Sequence, residues 1–193
     1  MTDHSQLNAK TIVPFLADIF HRRGHEEYLG ESVTMAEHML QGAYFAQQQG
    51  ECDEIIVATL LHDIGHFTSE FGIFSMDDTT DRWHEDAGAA ILEQFFPVLI
   101  TDCVRYHVAA KRYLCATDTV YFDQLSTASV HSLQLQGGPM NDAQIAEFER
   151  NPNLEAILKV RRFDDQGKLP KLETPPFSHY QSTIQKIVDS HPN

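Results

Sequence analysis

The stretch Leu60-Leu61-His62-Asp63-Ile64-Gly65-His66 ends an apolar helical segment with a histidine and an aspartate side by side. An ionisable group inside a core is costly unless something partners it, so this dyad dictates what must be built around it. The same demand recurs along the chain. His84 shares one helical stripe with Ala87, Gly88, Ile91, Leu92 and Phe95, while His107 sits among Val104, Val108 and Ala110. Asp164 continues the face of Leu154, Ile157, Leu158 and Arg161, and His38 precedes Gly42 and Phe45 by one and two turns. A lone buried histidine is ordinarily a hydrogen-bonded core residue. Four histidines and two aspartates facing inward from five segments are instead a set that coordinated metal would compensate together.

The punctuation supports a helical chain. Gly24, Gly50, Gly72, Pro97, the Gly137-Gly138-Pro139 turn, Pro152, Gly167 and Pro175-Pro176 separate segments of helical length and spacing. Helices are predicted over 11–23, 31–49, 53–66, 83–96, 98–113, 122–134, 141–150, 153–165 and 178–189, with no alternating strand pattern of useful length. Asn141 with Gln144, and Ser178 with Gln181, have capping-box spacing. Segments 67–82 and 166–177 are the longest left without an element. The expectation is an all-α fold, one domain over residues 1–193, with no internal repeat.

Charge narrows the partners. With 14 Lys+Arg against 28 Asp+Glu the formal net charge is -14, which disfavours nucleic acid and anionic membrane surfaces. An anionic small molecule would need a local positive feature to bind. Met1 to Lys10 lacks the pattern of an export signal, and no apolar run approaches a membrane span, so a cytoplasmic location is expected. Cys52, Cys103 and Cys115 have no paired spacing and read as reduced thiols.

The order His38, His62-Asp63, Asp164 is similar to the signature of the HD superfamily, a helical bundle that holds metal among those four residues. His84 and His107, lying between the dyad and the last aspartate, resemble the additional ligands of its dinuclear members. Further segments carry a narrower resemblance: Tyr28-Leu29-Gly30-Glu31, His107-Val108-Ala109-Ala110-Lys111-Arg112-Tyr113-Leu114, Gln136-Gly137-Gly138-Pro139-Met140, and Arg161 to Asp164. Together, over about 28–168, these resemble the HD-domain mixed-valence diiron oxygenases that cleave organophosphonates. That resemblance implies one metal on His38, His62, Asp63 and Asp164, and a second on His84, His107 and the other oxygen of a bridging Asp63. It implies two iron ions, Fe(II)/Fe(III), with Tyr28 occupying a position on the second iron until substrate displaces it and Glu31 helping to close the site. Imidazole and carboxylate alone do not choose among iron, zinc and manganese.

Helical geometry places potential cations beside these presumed ligands. His66 lies four residues after His62, Lys111 four after His107, and Arg161 three before Asp164, so each shares a face with a ligand. The three could hold a tetrahedral oxyanion against the metals. The alternative leaves Lys111 and Arg161 extending to the surface and His66 ending a helix. Ser126, Ser129 and Ser132 could add hydroxyls, and in the resembled family a serine at the Ser129 position helps bind phosphonate.

The implied substrate is a small zwitterionic hydroxyphosphonate, cleaved with O2 to phosphate and a carboxylate. Substrate supplies all four electrons, so no nicotinamide, flavin or oxoglutarate is needed, and the chain has no dinucleotide glycine fingerprint. Residues 67–81 mix Phe67, Phe71 and Phe74 with Glu70, Asp77, Asp78 and Asp81, a composition suited to quaternary ammonium. It leans the expectation toward the 2-trimethylammonio substrate, giving glycine betaine, over the free amine, giving glycine. The other reading of 67–81 is a solvated acidic loop. Rival functions are an HD-type phosphohydrolase, a polyol oxygenase, and a metal- or ligand-binding sensor without turnover.

Overall fold

The structure, a computed structural model, describes residues 7–28, 30–68 and 83–191. It is helical throughout: α1 Ile12–Arg23, α2 Met35–Gln48, α3 Asp53–Leu61, α4 Gly65–Thr68, α5 His84–Leu92, α6 Val98–Thr117, α7 Thr127–Leu135, α8 Asp142–Phe148, α9 Leu154–Gln166 and α10 Phe177–Ser190. Among the described residues the only β pairing is an isolated bridge between Glu27 and Thr34. None of the helices is long and apolar enough to cross a membrane. The all-α expectation is met.

α3 is the axle. Ile55 to Leu61 are all buried, as expected of a helix that is apolar on every side. α2, α6 and α9 pack around it, α5 lies on α6, and α10 closes over α1 and α3. The helices share one apolar cluster, and the inward histidines and aspartates lie where α2, α3, α5, α6 and α9 converge. The cysteines are unpaired.

Several predicted boundaries shift for local reasons. The segment predicted over 31–49 begins only at Met35, because Thr34 accepts from the Glu37 amide and the Glu37 carboxylate accepts from Thr34 N–H, a capping box that fixes the start. The 122–134 segment divides into a short 3-10 turn, Phe122–Gln124, and α7, which Ser126 caps. The Asn141–Gln144 box forms as expected. The Ser178–Gln181 box does not: α10 begins one residue earlier, with Pro176 at the cap position and no side-chain cap.

The consequential difference is at the dyad. The predicted 53–66 helix stops at Leu61 and resumes at Gly65, with i→i−3 bonds from Ile64 to Leu61 and from His66 to Asp63. Neighbouring residues of a regular α-helix diverge by about 100°. His62 and Asp63 nonetheless reach one centre, their Nε2 and Oδ2 3.4 Å apart, which this break permits. Gly65 is needed beside it, since a Cβ there would sit 1.8 Å from the His84 carbonyl oxygen. The glycine lets α4 and α5 approach closely enough to bring His84 to Asp63.

Candidate metal centre

Asp63 is the centre of the arrangement. Its Oδ2 faces His38 Nε2 at 3.5 Å and His62 Nε2 at 3.4 Å, while its Oδ1 faces His84 Nε2 at 3.3 Å and His107 Nε2 at 3.2 Å. Asp164 Oδ1 joins the first side, 3.4 Å from His38 and 3.8 Å from His62. All six residues are buried. Two separate triads, His38-His62-Asp63 and Asp63-His84-His107, therefore have ligand atoms close enough to hold an ion each, with Asp63 common to both.

The chemistry of the donors fits cations. His38 Nδ1 donates to Gly167 O at 2.9 Å, and His62 Nδ1 donates to Thr59 O at 2.7 Å. Rings so fixed aim Nε2 at the centre, and these two nitrogens meet 3.1 Å apart. Against its burial, Asp63 and Asp164 raise the His62 ring to about 9, so a cation bound there would take the place of its proton. His107 is fixed likewise by Nδ1 donation to Val104 O at 2.7 Å, and its Nε2 lies 3.1 Å from that of His84. Facing lone pairs at that distance repel unless a positive centre accepts them. Asp164 Oδ1, buried and aimed at the same place, has no hydrogen-bond partner. Burial opposes ionisation of Asp63, yet the surrounding histidines, His62 foremost, hold its carboxyl well below the usual range. Arg161, followed by His62, does the same for Asp164 against its burial.

A cavity opens beside the second triad. Asp63, His84, His107 and Asp164 line it together with Tyr28, His66, Lys111, Ser129 and Arg161. The structure thus brings together nearly every residue singled out in the sequence. His66 arrives in a different state from that expected. Its ring stacks on His84 at 3.9 Å, and burial, reinforced by the neighbouring His84 ring, depresses its pKa well below the usual imidazole value. It is a neutral ring whose buried Nδ1 has no partner, able to offer a hydrogen bond rather than a charge.

Lys111 donates to Ser132 Oγ at 2.6 Å, and burial, with Arg161 adding repulsion, lowers its ammonium to about 7. Arg161 is committed to the protein: Nη1 meets Asp164 Oδ2 at 2.6 Å, Nη2 pairs with Asp165, and Nε donates to Tyr121 Oη at 3.0 Å. It orients Asp164 as well as bordering the cavity. Neither cation extends to the surface. Ser126 is drawn away from the cavity, because its hydroxyl accepts the Ser129 amide as the cap of α7.

Tyr28 and Glu31 flank one tight turn, closed by the Glu31 amide donating to Tyr28 O at 2.7 Å. Gly30, at the third position with φ 72°, supplies the left-handed conformation this turn requires. Tyr28 stacks on the His38 ring at 3.8 Å, and burial, with Asp164 and Asp63 nearby, pushes its phenol well above the ordinary value. Glu31 does not line the cavity. Its Oε1 lies 3.8 Å from Lys168 Nζ.

Three residues near the cavity do more than the sequence assigned to them. Ser132, considered only as a possible hydroxyl contact, positions Lys111. Gln136 reaches the cavity with a buried Oε1 that has no partner, because the positive-φ pair Gly137-Gly138 turns the chain back at the end of α7. The Gln-Gly-Gly-Pro motif was the available signal. Lys168, in a segment predicted as loop, donates to Ser129 Oγ at 2.8 Å. Of the 67–81 segment expected to recognise ammonium, residues 69–81 lie outside the described residues. Phe67 is a core residue, edge-on to Phe20 at 6.0 Å with its carbonyl accepting from Arg23.

An all-helical bundle carrying a His-Asp dyad with outlying histidine and aspartate ligands is the HD-domain class. The HD domain matches residues 35–164, and the chain belongs to that family. Within it, the chain is 65% identical over 98% of its length, and 96% of the relative's, to the [1-hydroxy-2-(trimethylamino)ethyl]phosphonate dioxygenase (glycine-betaine-forming) of Leisingera caerulea. It is 41% identical over 85% of its length, and 82% of the relative's, to the hydroxymethylphosphonate dioxygenase of Gimesia maris. It is also 33% identical over 96% of its length, and 84% of the relative's, to the uncharacterized protein L432 of Acanthamoeba polyphaga mimivirus.

Proposed function

We propose that this protein is a diiron oxygenase that cleaves the carbon-phosphorus bond of (R)-1-hydroxy-2-(trimethylammonio)ethylphosphonate, consuming O2 and releasing phosphate and glycine betaine. The observation that carries this reading is the shared Asp63, whose two oxygens serve separate histidine pairs beside a cavity bordered by Lys111 and Arg161. The 65% identity to the Leisingera enzyme supports the choice of substrate.

His38, His62, Asp63 and Asp164 would hold one iron ion, and Asp63, His84 and His107 the other. A mixed-valence Fe(II)/Fe(III) pair supplies Lewis acidity and the redox chemistry of dioxygen. The chain does the rest. The open wall beside His84 and His107 leaves room for the substrate's hydroxyl and one phosphonate oxygen. Lys111, bearing its charge near neutral pH, and Ser129 meet the remaining phosphonate oxygens, with His66 adding a neutral hydrogen-bonding group. Arg161 keeps Asp164 ionised and aimed while its charge adds to the potential at the cavity. Tyr28 and Glu31, tied into one turn, act as the closing element, with Tyr28 the group that yields to substrate. Carbon 1 passes from alcohol to carboxylate, a four-electron oxidation matched to one O2, so no further reductant is required.

The test is substrate discrimination by the iron-loaded protein in air. Glycine betaine and phosphate should form in equal amounts from the trimethylammonio substrate, with kcat/KM above that for the free-amine substrate and for hydroxymethylphosphonate. A clear preference for hydroxymethylphosphonate would overturn the assignment.

A further inference from the structure

We infer that Lys168 is a positioning residue for the anion site, holding the Ser129 hydroxyl as a hydrogen-bond donor toward the cavity. The inference rests on the proposed role of Ser129 in binding phosphonate, and it adds a residue that touches neither metal ligand nor cavity directly.

The hydroxyl inventory sets the direction. Lys168 Nζ can only donate, and it does so to Ser129 Oγ at 2.8 Å. Ser129 Oγ is thus an acceptor on its Lys168 side, and its own hydrogen is left for the cavity that it lines. Ser132, one turn on, is spent differently: it accepts from Lys111 and donates to Ser129 O at 3.1 Å. Of the two cavity serines, Ser129 is therefore the one arranged to donate to an anion. A charged donor on its oxygen also polarises the O–H bond, strengthening what it offers a phosphonate oxygen.

Lys168 is held from both sides. Its predecessor Gly167 gives its carbonyl to His38 Nδ1, and a Cβ on Gly167 would come within 2.6 Å of the His38 carbonyl oxygen. Its successor Leu169 is clamped by the buried Gln41 amide, which accepts from Leu169 N–H at 2.9 Å and donates to Leu169 O at 2.8 Å. Three consecutive residues thus address a metal-ligand histidine, the cavity serine and a buried glutamine. The Lys168 ammonium also lies 3.8 Å from Glu31 Oε1 and 6.0 Å from the Tyr28 ring centroid, within reach of the turn that closes the site.

Anaerobic calorimetric titration of the iron-loaded protein with the trimethylammonio hydroxyphosphonate separates binding from turnover. Lys168→Met and Ser129→Ala should each weaken binding by about tenfold, the scale of one charge-assisted hydrogen bond. If Lys168 acts through Ser129, the double variant should bind little worse than either single one. Lys168→Arg should recover part of the loss. Lys168→Gln, which keeps a donor without charge, serves in place of Lys168→Met should the latter fail to fold, and should fall between wild type and Ser129→Ala. Unchanged affinity in the Lys168 variants, or losses that multiply in the double variant, would overturn the inference. Rescue of Lys168→Met by Glu31→Gln would also overturn it, making Lys168 a counter-ion of the closing turn. Wild-type protein that neither binds this phosphonate nor releases phosphate in air would contradict the proposed function instead.

Discussion

The site is decided by which atom of each side chain faces which neighbour. Asp63 is irreplaceable in this scheme because each of its oxygens is committed to a different histidine pair. Asp63→Ala should abolish binding at both metal positions, measured by metal analysis of the purified protein, and retained dinuclear metal would contradict the bridge. Lys111 yields a pH prediction. Burial lowers its ammonium to about 7, and an anion binds the protonated form, so above that pH binding requires proton uptake. The wild-type advantage over Lys111→Met in phosphonate affinity should therefore be largest below pH 7 and shrink by up to about tenfold per pH unit above it. An advantage independent of pH from 6 to 9 would remove Lys111 from the anion site. At this scale the sequence was legible wherever a polar residue interrupted an apolar helical face, as at His84 and His107. Lys168 interrupts nothing, and only the folded position of Ser129 gives it a role. Spacing offered the Arg161–Asp165 pair, four residues apart on α9, but it could not show that Arg161 would reach Tyr121, which enters from the 3-10 turn at Phe122–Gln124.

Among the elements, the instructive feature is the interruption between α3 and α4. Periodicity reads straight through residues 53–66, because the apolar pattern continues across the dyad. The break arises from tertiary packing, in which Gly65 lies against the His84 carbonyl. Gly65→Ala should force α4 and α5 apart, costing at least about 1–3 kcal/mol in chemical denaturation and lowering metal content with it. Metal content held at the wild-type level would separate that packing from the site. Helix starts give a milder contrast. Thr34→Ala removes a complete capping box and should cost about 1 kcal/mol, while Ser178→Ala, at a position where no side-chain cap forms, should fall within about 0.5 kcal/mol of wild type. Equal losses would mean that the Thr34 box contributes nothing beyond its sequence pattern. Both boxes have the spacing in sequence; Pro176 at the cap position of α10 decides against the second.

Across the whole molecule, the candidate ligands come from α2, the α3–α4 turn, α5, α6 and α9, so bound metal would join most of the bundle that surrounds α3. Removing it should lower the melting temperature, and restoring ferrous iron should recover it, because a ligand that binds only the folded state stabilises that state. The surplus of acidic residues, a formal net charge of -14, would be reversed locally by the cations that the triads could hold, with Lys111 beside them. A zwitterionic substrate suits that inversion, its phosphonate toward the metals and its cation toward the acidic exterior. The architecture and anion cluster serve a hydrolase equally well, and oxygen is what separates the two chemistries. The most direct measurement is simultaneous oxygen uptake and phosphate release by iron-loaded protein given the trimethylammonio hydroxyphosphonate. One O2 should disappear for each phosphate formed, with none released under anaerobic conditions. Phosphate released at the same rate without oxygen would contradict the account.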